Sequence, residues 1–251
     1  MIDRRSFVGA ALLGAPLLAG ARKPPLAAVP ISRLDTPWWK ARHAAKLAEL
    51  RATKPVLLWL GDSITQNFER DGPDDWARFR PIWDRHYAAL GAVNLGFKGD
   101  ATCHLLWRLR NGELDGIAPR AAVVLIGANN FGRLHWSADD TLAGIAAILA
   151  ECRARQPGMR VLLLGVLPSE RSAETSAATV AVNARLAQLH RDGRELVFMN
   201  PASLFLTNGI FDRADFYDPL LRPPEPPLHP TAASQERLCT FIAPTLQRLL
   251  A

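Results

Sequence analysis

Five short, predominantly apolar runs constrain most strongly what this chain folds into. They are Val56–Leu60, Ala92–Leu95, Ala122–Ile126, Val161–Val166 and Leu196–Met199, with Gly, Pro or Asn at or near their ends. A run of this length that is apolar at nearly every position, not at alternate ones, suits a strand covered on both faces, as in a parallel sheet. A helical pattern, Trp38–Ala52, precedes the first run; Cys103–Arg110, Ala138–Arg155 and Ala173–Arg191 lie between the runs, and Ala232–Leu250 closes the chain. Parallel strands are joined by right-handed crossovers, which puts helices on both faces. The alternation therefore predicts an α/β fold of three layers, α/β/α, around a five-stranded parallel sheet. At 251 residues, with about half of them apolar, the chain fits one such domain.

The N-terminal 37 residues read differently. Arg4 and Arg5 precede an uncharged stretch, Ser6–Ala21, rich in Ala, Leu and Gly and ending in Ala19-Gly20-Ala21. A basic start, a short apolar run and a small-residue exit make an export signal, here of twin-arginine type, over residues 1–21. The run falls short of the ~20 apolar residues of a membrane span, so no stable insertion is expected after cleavage. The expected location is periplasmic or secreted. Residues 22–37 are rich in Pro and Ala and read as a linker, which leaves residues 38–251 as the domain.

The charge of +6 is spread over scattered arginines without interleaved aromatics, which argues against a nucleic-acid partner. Cys103, Cys152 and Cys239 have no metal-ligand spacing and read as buried thiols, with one disulfide open to an exported protein. No metal and no cofactor are expected.

In folds of this class, ligands bind at the carboxyl ends of the strands. The segments that follow the runs are therefore the ones that carry chemistry. Gly61-Asp62-Ser63-Ile64 follows the first run, and Ser63 at that bend is either a nucleophile or a helix cap. Asn94-Leu95-Gly96-Phe97-Lys98-Gly99-Asp100-Ala101-Thr102 follows the second, with Gly99 as a bare N–H donor or a turn glycine. Gly127-Ala128-Asn129-Asn130 follows the third, with Asn129 as an amide donor or a loop cap. Leu228-His229-Pro230-Thr231 precedes the last helix, with His229 as a general base or a surface histidine. Together the four blocks supply what serine-mediated ester hydrolysis requires. Ser63 and His229 give a hydroxyl and its base. The N–H groups of Ser63 and Gly99 and the side-chain amide of Asn129 give donors for an oxyanion.

The order Ser, Gly, Asn, His in these contexts resembles the SGNH (GDSL-type) hydrolase superfamily, from about Lys54 to Leu250. Within it, the second block and Leu106-Trp107-Arg108-Leu109-Arg110-Asn111-Gly112-Glu113-Leu114 are similar to the catalytic subunits of intracellular platelet-activating factor acetylhydrolase. The resemblance implies a flavodoxin-like fold, no metal, and removal of a small acyl group, often acetyl. It implies Ser63 as nucleophile, Gly99 and Asn129 as oxyanion donors and His229 as base. Trp107-Arg108 then reads as helix packing. Relatives of this kind often pair, so a homodimer is an open expectation.

One position departs from the family pattern. An aspartate belongs three residues before the histidine, and here that position is Pro226. Glu225, one residue further back, is the first choice for the acid that orients His229. Asp215, Asp218 and a backbone carbonyl are the alternatives. The functional expectation is an exported serine esterase acting on a small-molecule or polysaccharide ester, O-acetylated carbohydrate above all. Its rivals are a lipid-directed esterase, thioesterase or acyltransferase, and a non-catalytic binding or assembly protein on a degenerate fold.

Overall fold

The computed structural model describes residues 23–188 and 195–251. The expected export signal at residues 1–21 lies outside the described residues. Five parallel strands form the sheet: β1 (Leu57–Gly61), β2 (Ala92–Gly96), β3 (Ala121–Leu125), β4 (Arg160–Leu164) and β5 (Leu196–Met199), in the order β2-β1-β3-β4-β5. Each coincides with one of the five apolar runs to within a residue or two at its ends, and the expected three-layer α/β/α fold is the one observed. Among the described residues eight α-helices flank the sheet: α1 (Pro37–Thr53), α2 (Ser63–Gln66), α3 (Arg80–His86), α4 (Thr102–Arg108), α5 (Ala128–Gly132), α6 (Ala138–Arg155), α7 (Ala173–Ala187) and α8 (Ala232–Leu250).

Alternation along each strand splits the core in two. Leu58, Leu60, Val93, Leu95, Val124 and Leu163 face a layer made from α1, α4, α6 and α7. Leu57, Trp59, Val123, Leu125, Leu162 and Val197 face the opposite layer, made from α2, α3 and α8. Successive side chains of a strand point to opposite faces, so a strand apolar at every position feeds both cores. The three cysteines are free and buried within these layers, and burial pushes each thiol up to about 12.

Two expectations are corrected here. The helix expected over Cys103–Arg110 stops at Arg108, because Leu109–Glu113 forms an irregular turn with Gly112 at φ +110°. The described part of the expected linker, residues 23–37, is no loose tether. Ala27 is fully buried, the hydroxyl of Thr102 donates to its carbonyl (2.9 Å), and the Ile31 N–H donates to the Cys103 carbonyl (3.1 Å). Proline and alanine composition signalled an irregular backbone, but not whether that backbone docks.

Candidate active site

The site assembles at the carboxyl ends of β1, β2 and β3. Because β1 lies between β2 and β3, the loops that leave those two neighbours flank the turn that leaves β1. That turn is capped by Asp62, whose Oδ1 accepts the Ile64 N–H (3.0 Å) and starts α2 at Ser63. Strand β2 and helix α8 hold α2 closely. Asn94 donates its side-chain amide to the Thr65 carbonyl (2.8 Å), and Gln235 of α8 donates to the Ile64 carbonyl (3.0 Å). Gly96 permits this approach, since a Cβ there would sit 2.2 Å from the Gln66 nitrogen.

Ser63 Oγ lies 2.9 Å from His229 Nε2. His229 Nδ1 lies 2.5 Å from Asp218 Oδ1, and Asp218 is 1 % exposed. The other carboxylate oxygen of Asp218 accepts the N–H groups of Leu228 (2.7 Å) and His229 (2.6 Å). The expectation of Glu225 as the orienting acid is thereby corrected: Glu225 lines the cleft, but its backbone N–H donates to the Asp218 carbonyl (3.0 Å) and the imidazole bonds to Asp218. The reason lies in the chain path. Tyr217 N–H donates to the His229 carbonyl (3.0 Å), Thr231 N–H to the Asp215 carbonyl (2.8 Å), and Phe216 bridges Pro230 antiparallel. Residues 219–228 therefore leave as a closed loop whose ends meet, and the Pro-rich stretch is an insertion between acid and base. Asp215 is engaged elsewhere, by the Ser234 hydroxyl (3.1 Å) and by Arg237.

The imidazole is also held by its face. Tyr217 stacks on His229 at 5.4 Å between ring centroids and 16° between planes. Trp76 stacks on Tyr217 at 4.9 Å, and Asn67 donates to the Tyr217 hydroxyl (3.0 Å). Neither Tyr217 nor Asn67 carries a motif that reveals this role in the sequence. For Asp218, the aromatic pair Phe216-Tyr217 just before it and the Pro-rich stretch after it were the available signal.

On the oxyanion side, Gly99 has φ +77°, a region glycine enters freely and other residues rarely do. Asn129, 4 % exposed at the start of α5, donates one amide hydrogen to the Asp100 carbonyl (2.9 Å). A carboxamide has two hydrogens, so a second remains for a ligand. Among the described residues the backbone N–H groups of Ser63 and Gly99 donate no hydrogen bond. The three candidate donors follow three neighbouring strands, β1, β2 and β3, at their carboxyl ends.

Burial sets the charges beside the nucleophile. Desolvation pushes the Asp62 carboxyl up to about 6, against the opposing pull of the Ile64 N–H and His229. Arg171, whose guanidinium donates to the Ala128 carbonyl (2.5 Å), adds a smaller pull in the same direction. In front of Ser63 and His229 opens a cleft of about 590 Å³, walled by polar side chains that include Gln66, Asn67, Arg70 and Lys98. Among the described residues no cluster of three or more His, Cys, Asp or Glu is arranged to hold a metal ion.

A hydroxyl bonded to an imidazole, with a buried carboxylate behind it, at the carboxyl edge of a parallel sheet, is the arrangement of a serine hydrolase. The chain belongs to the GDSL-like lipase/acylhydrolase family, whose model matches residues 59–237. It is 35 % identical over 130 residues to the platelet-activating factor acetylhydrolase IB subunit alpha2 of Gallus gallus, a match covering 52 % of each chain. The chain thus spans about half the length of the curated relatives it matches. Its fold resembles that of a GDSL-like lipase from Bacteroides thetaiotaomicron (TM-score 0.64, 17 % identity, 83 % of this chain and 97 % of that one). A carbohydrate acetylesterase family member from Sinorhizobium meliloti is also similar in fold (TM-score 0.57, 15 % identity, 78 % and 99 % covered).

Proposed function

We propose that this chain is an exported serine esterase that removes small acyl groups, acetyl foremost, from polar esters such as O-acetylated carbohydrate. The observation that carries the reading is the relay Ser63–His229–Asp218, with bonds of 2.9 Å and 2.5 Å, opening on a polar cleft. Ser63 Oγ attacks the acyl carbon while His229 Nε2 takes its proton, and Asp218 stabilises the imidazolium that results. The N–H groups of Ser63 and Gly99 and the free amide hydrogen of Asn129 receive the oxyanion. His229 then returns the proton to the leaving alkoxide, and water repeats the sequence on the acyl-enzyme.

Three features support the finer parts of this proposal. The curated relatives are acetylhydrolase subunits, which favours a short acyl group. The polar and charged side chains that line part of the cleft, Gln66, Asn67, Glu69, Arg70 and Lys98, favour a polar alcohol over a lipid. The N-terminal Arg4-Arg5 and the apolar stretch behind it favour export, and with it an envelope or extracellular substrate. Asp218 also removes the feature that favoured a non-catalytic relative, the missing acid at position 226.

The test combines a fluorophosphonate probe with p-nitrophenyl esters of increasing chain length. Ser63-dependent labelling and turnover that falls from acetyl to octanoyl support the proposal. Equal labelling of Ser63→Ala, or a rate that rises with chain length, overturns it. Mass spectrometry of the periplasmic fraction checks export: a chain found only in the cytoplasm with Met1 intact defeats that part.

A further inference from the structure

The Gly99 loop is secured by the segment that precedes α1. One nitrogen of Arg33 donates to the Lys98 carbonyl (3.0 Å) and to Asp100 Oδ1 (2.9 Å), so it bridges the two residues on either side of Gly99. The same nitrogen lies 3.4 Å from where a Cβ on Gly99 would stand. Asp100 is fully buried and receives two further donors, Trp39 Nε1 (2.8 Å) and Arg108 Nε (2.9 Å). Arg108 is itself fully buried, paired with Glu113 (2.7 Å and 2.5 Å), and reaches the Gly61 carbonyl (3.3 Å) just before the nucleophile turn. The Asp100 carbonyl in turn holds Asn129 (2.9 Å). Asp100 therefore joins both outer donors of the oxyanion site, and Arg33 is the clamp on it that comes from outside the sheet and its helices.

We propose that Arg33 is a positioning residue for the Gly99 N–H, and that the arm before α1 completes the oxyanion site when it docks. This rests on the esterase reading above. Preorganised donors act through position, and a glycine at positive φ has no side chain of its own to hold that position. Arg33 does so by fixing the carbonyl before Gly99 and the carboxylate after it. The arm can carry this load because it is anchored on both sides of Arg33, by the Ala27–Thr102 and Ile31–Cys103 bonds upstream and by α1 downstream.

The experiment measures kcat and KM for p-nitrophenyl acetate on the whole chain carrying Arg33→Ala, Arg33→Lys, Asn129→Ala, or Arg33→Ala with Asn129→Ala. Active enzyme is counted by titrating the Ser63-reactive fraction. The Arg33 side chain is 18 % exposed and leaves Trp39 and Arg108 on Asp100, so Arg33→Ala folds. Expected is a loss of about 10- to 100-fold in kcat with little change in KM, since a displaced donor costs rate without uniform binding. Arg33→Lys restores part of the rate. The double variant loses less than the product of the single losses, because both residues act on one oxyanion. An unchanged kcat in Arg33→Ala, a loss that vanishes on counting active sites, or fully multiplicative losses each overturn the proposal. Turnover by the unaltered chain that does not depend on Ser63 overturns the esterase reading itself, and this proposal with it.

Discussion

His229 Nδ1 and Asp218 Oδ1 stand 2.5 Å apart although eleven positions separate the two residues in the chain. The loop between them closes on itself through the Glu225 N–H and the Asp218 carbonyl (3.0 Å), so its length does not separate the acid from the base. Asp218 fixes the imidazole tautomer with one oxygen and the approach of the histidine's own backbone with the other. Asp218→Asn must place an amide on one of those two faces. It is expected to lower kcat by about 10⁴-fold, whereas Glu225→Gln, whose side chain is outside this relay, leaves kcat near its original value. Steady-state kinetics on both variants checks the assignment; strong loss in Glu225→Gln with a normal Asp218→Asn would restore Glu225.

The fold was legible in the sequence because burial on both faces favours strands that are apolar at nearly every position, and the runs from Val56 to Met199 announce themselves. The places of Ser63, Gly99 and Asn129 were legible because each lies within a few residues after such a run, where the fold class puts its ligands. The acid was not legible by spacing. Spacing carries information only when the backbone between two residues is constrained by local structure, and the path from Asp218 to His229 is an irregular loop closed by backbone bonds that any sequence can make. Arg33 was hidden for a related reason: docking of the arm depends on carbonyl acceptors at Ala27, Lys98 and Cys103, and carbonyls are the same in every residue.

Asn129 carries a second consequence. Its amide spends one hydrogen on the Asp100 carbonyl and has a second, which the proposed mechanism gives to the oxyanion. Asn129→Ala is expected to fold and to lose about 10²- to 10³-fold in kcat, the usual effect of deleting one oxyanion donor. Asn129→Asp, which keeps the size and removes both hydrogens, should be at least as slow. A folded Asn129→Ala with unchanged kcat would return the residue to loop capping.

Gly96 tests the seating of α2. A Cβ at this position would meet the Gln66 nitrogen at 2.2 Å and the Thr65 carbonyl carbon at 2.7 Å, both backbone atoms that no rotamer change can move. Gly96→Ala is expected to cost about 1–3 kcal/mol or more in stability by overpacking, and to displace Ser63 from His229. Urea unfolding with fluorophosphonate labelling rates checks both parts. A variant of normal stability and normal labelling would mean that α2 slides without disturbing the serine.

Asp62 and His104 make opposite contributions to stability across one range of pH. Burial raises the Asp62 carboxyl from 3.8 to about 6, so between those values the folded chain keeps a proton that the unfolded chain releases, and stability falls as pH rises. Burial lowers His104 from 6.5 to about 4, where its Nδ1 accepts the Ala101 N–H (2.9 Å). Over that span the unfolded chain holds the extra proton, and stability rises with pH. Each displacement corresponds to about 3 kcal/mol, so in the intact protein the two largely offset between about pH 4 and 6. Single substitutions separate them. Subtracting the intact protein's unfolding free energy from that of Asp62→Asn should give a difference that grows as pH rises from 4 to 6 and is constant above. For His104→Gln the difference should shrink over the same range, because the stability that neutral His104 regains with rising pH is no longer gained. Urea titrations at half-unit pH steps read both curves. A flat difference curve for Asp62→Asn would mean that the carboxyl beside the nucleophile titrates as it does in the unfolded chain.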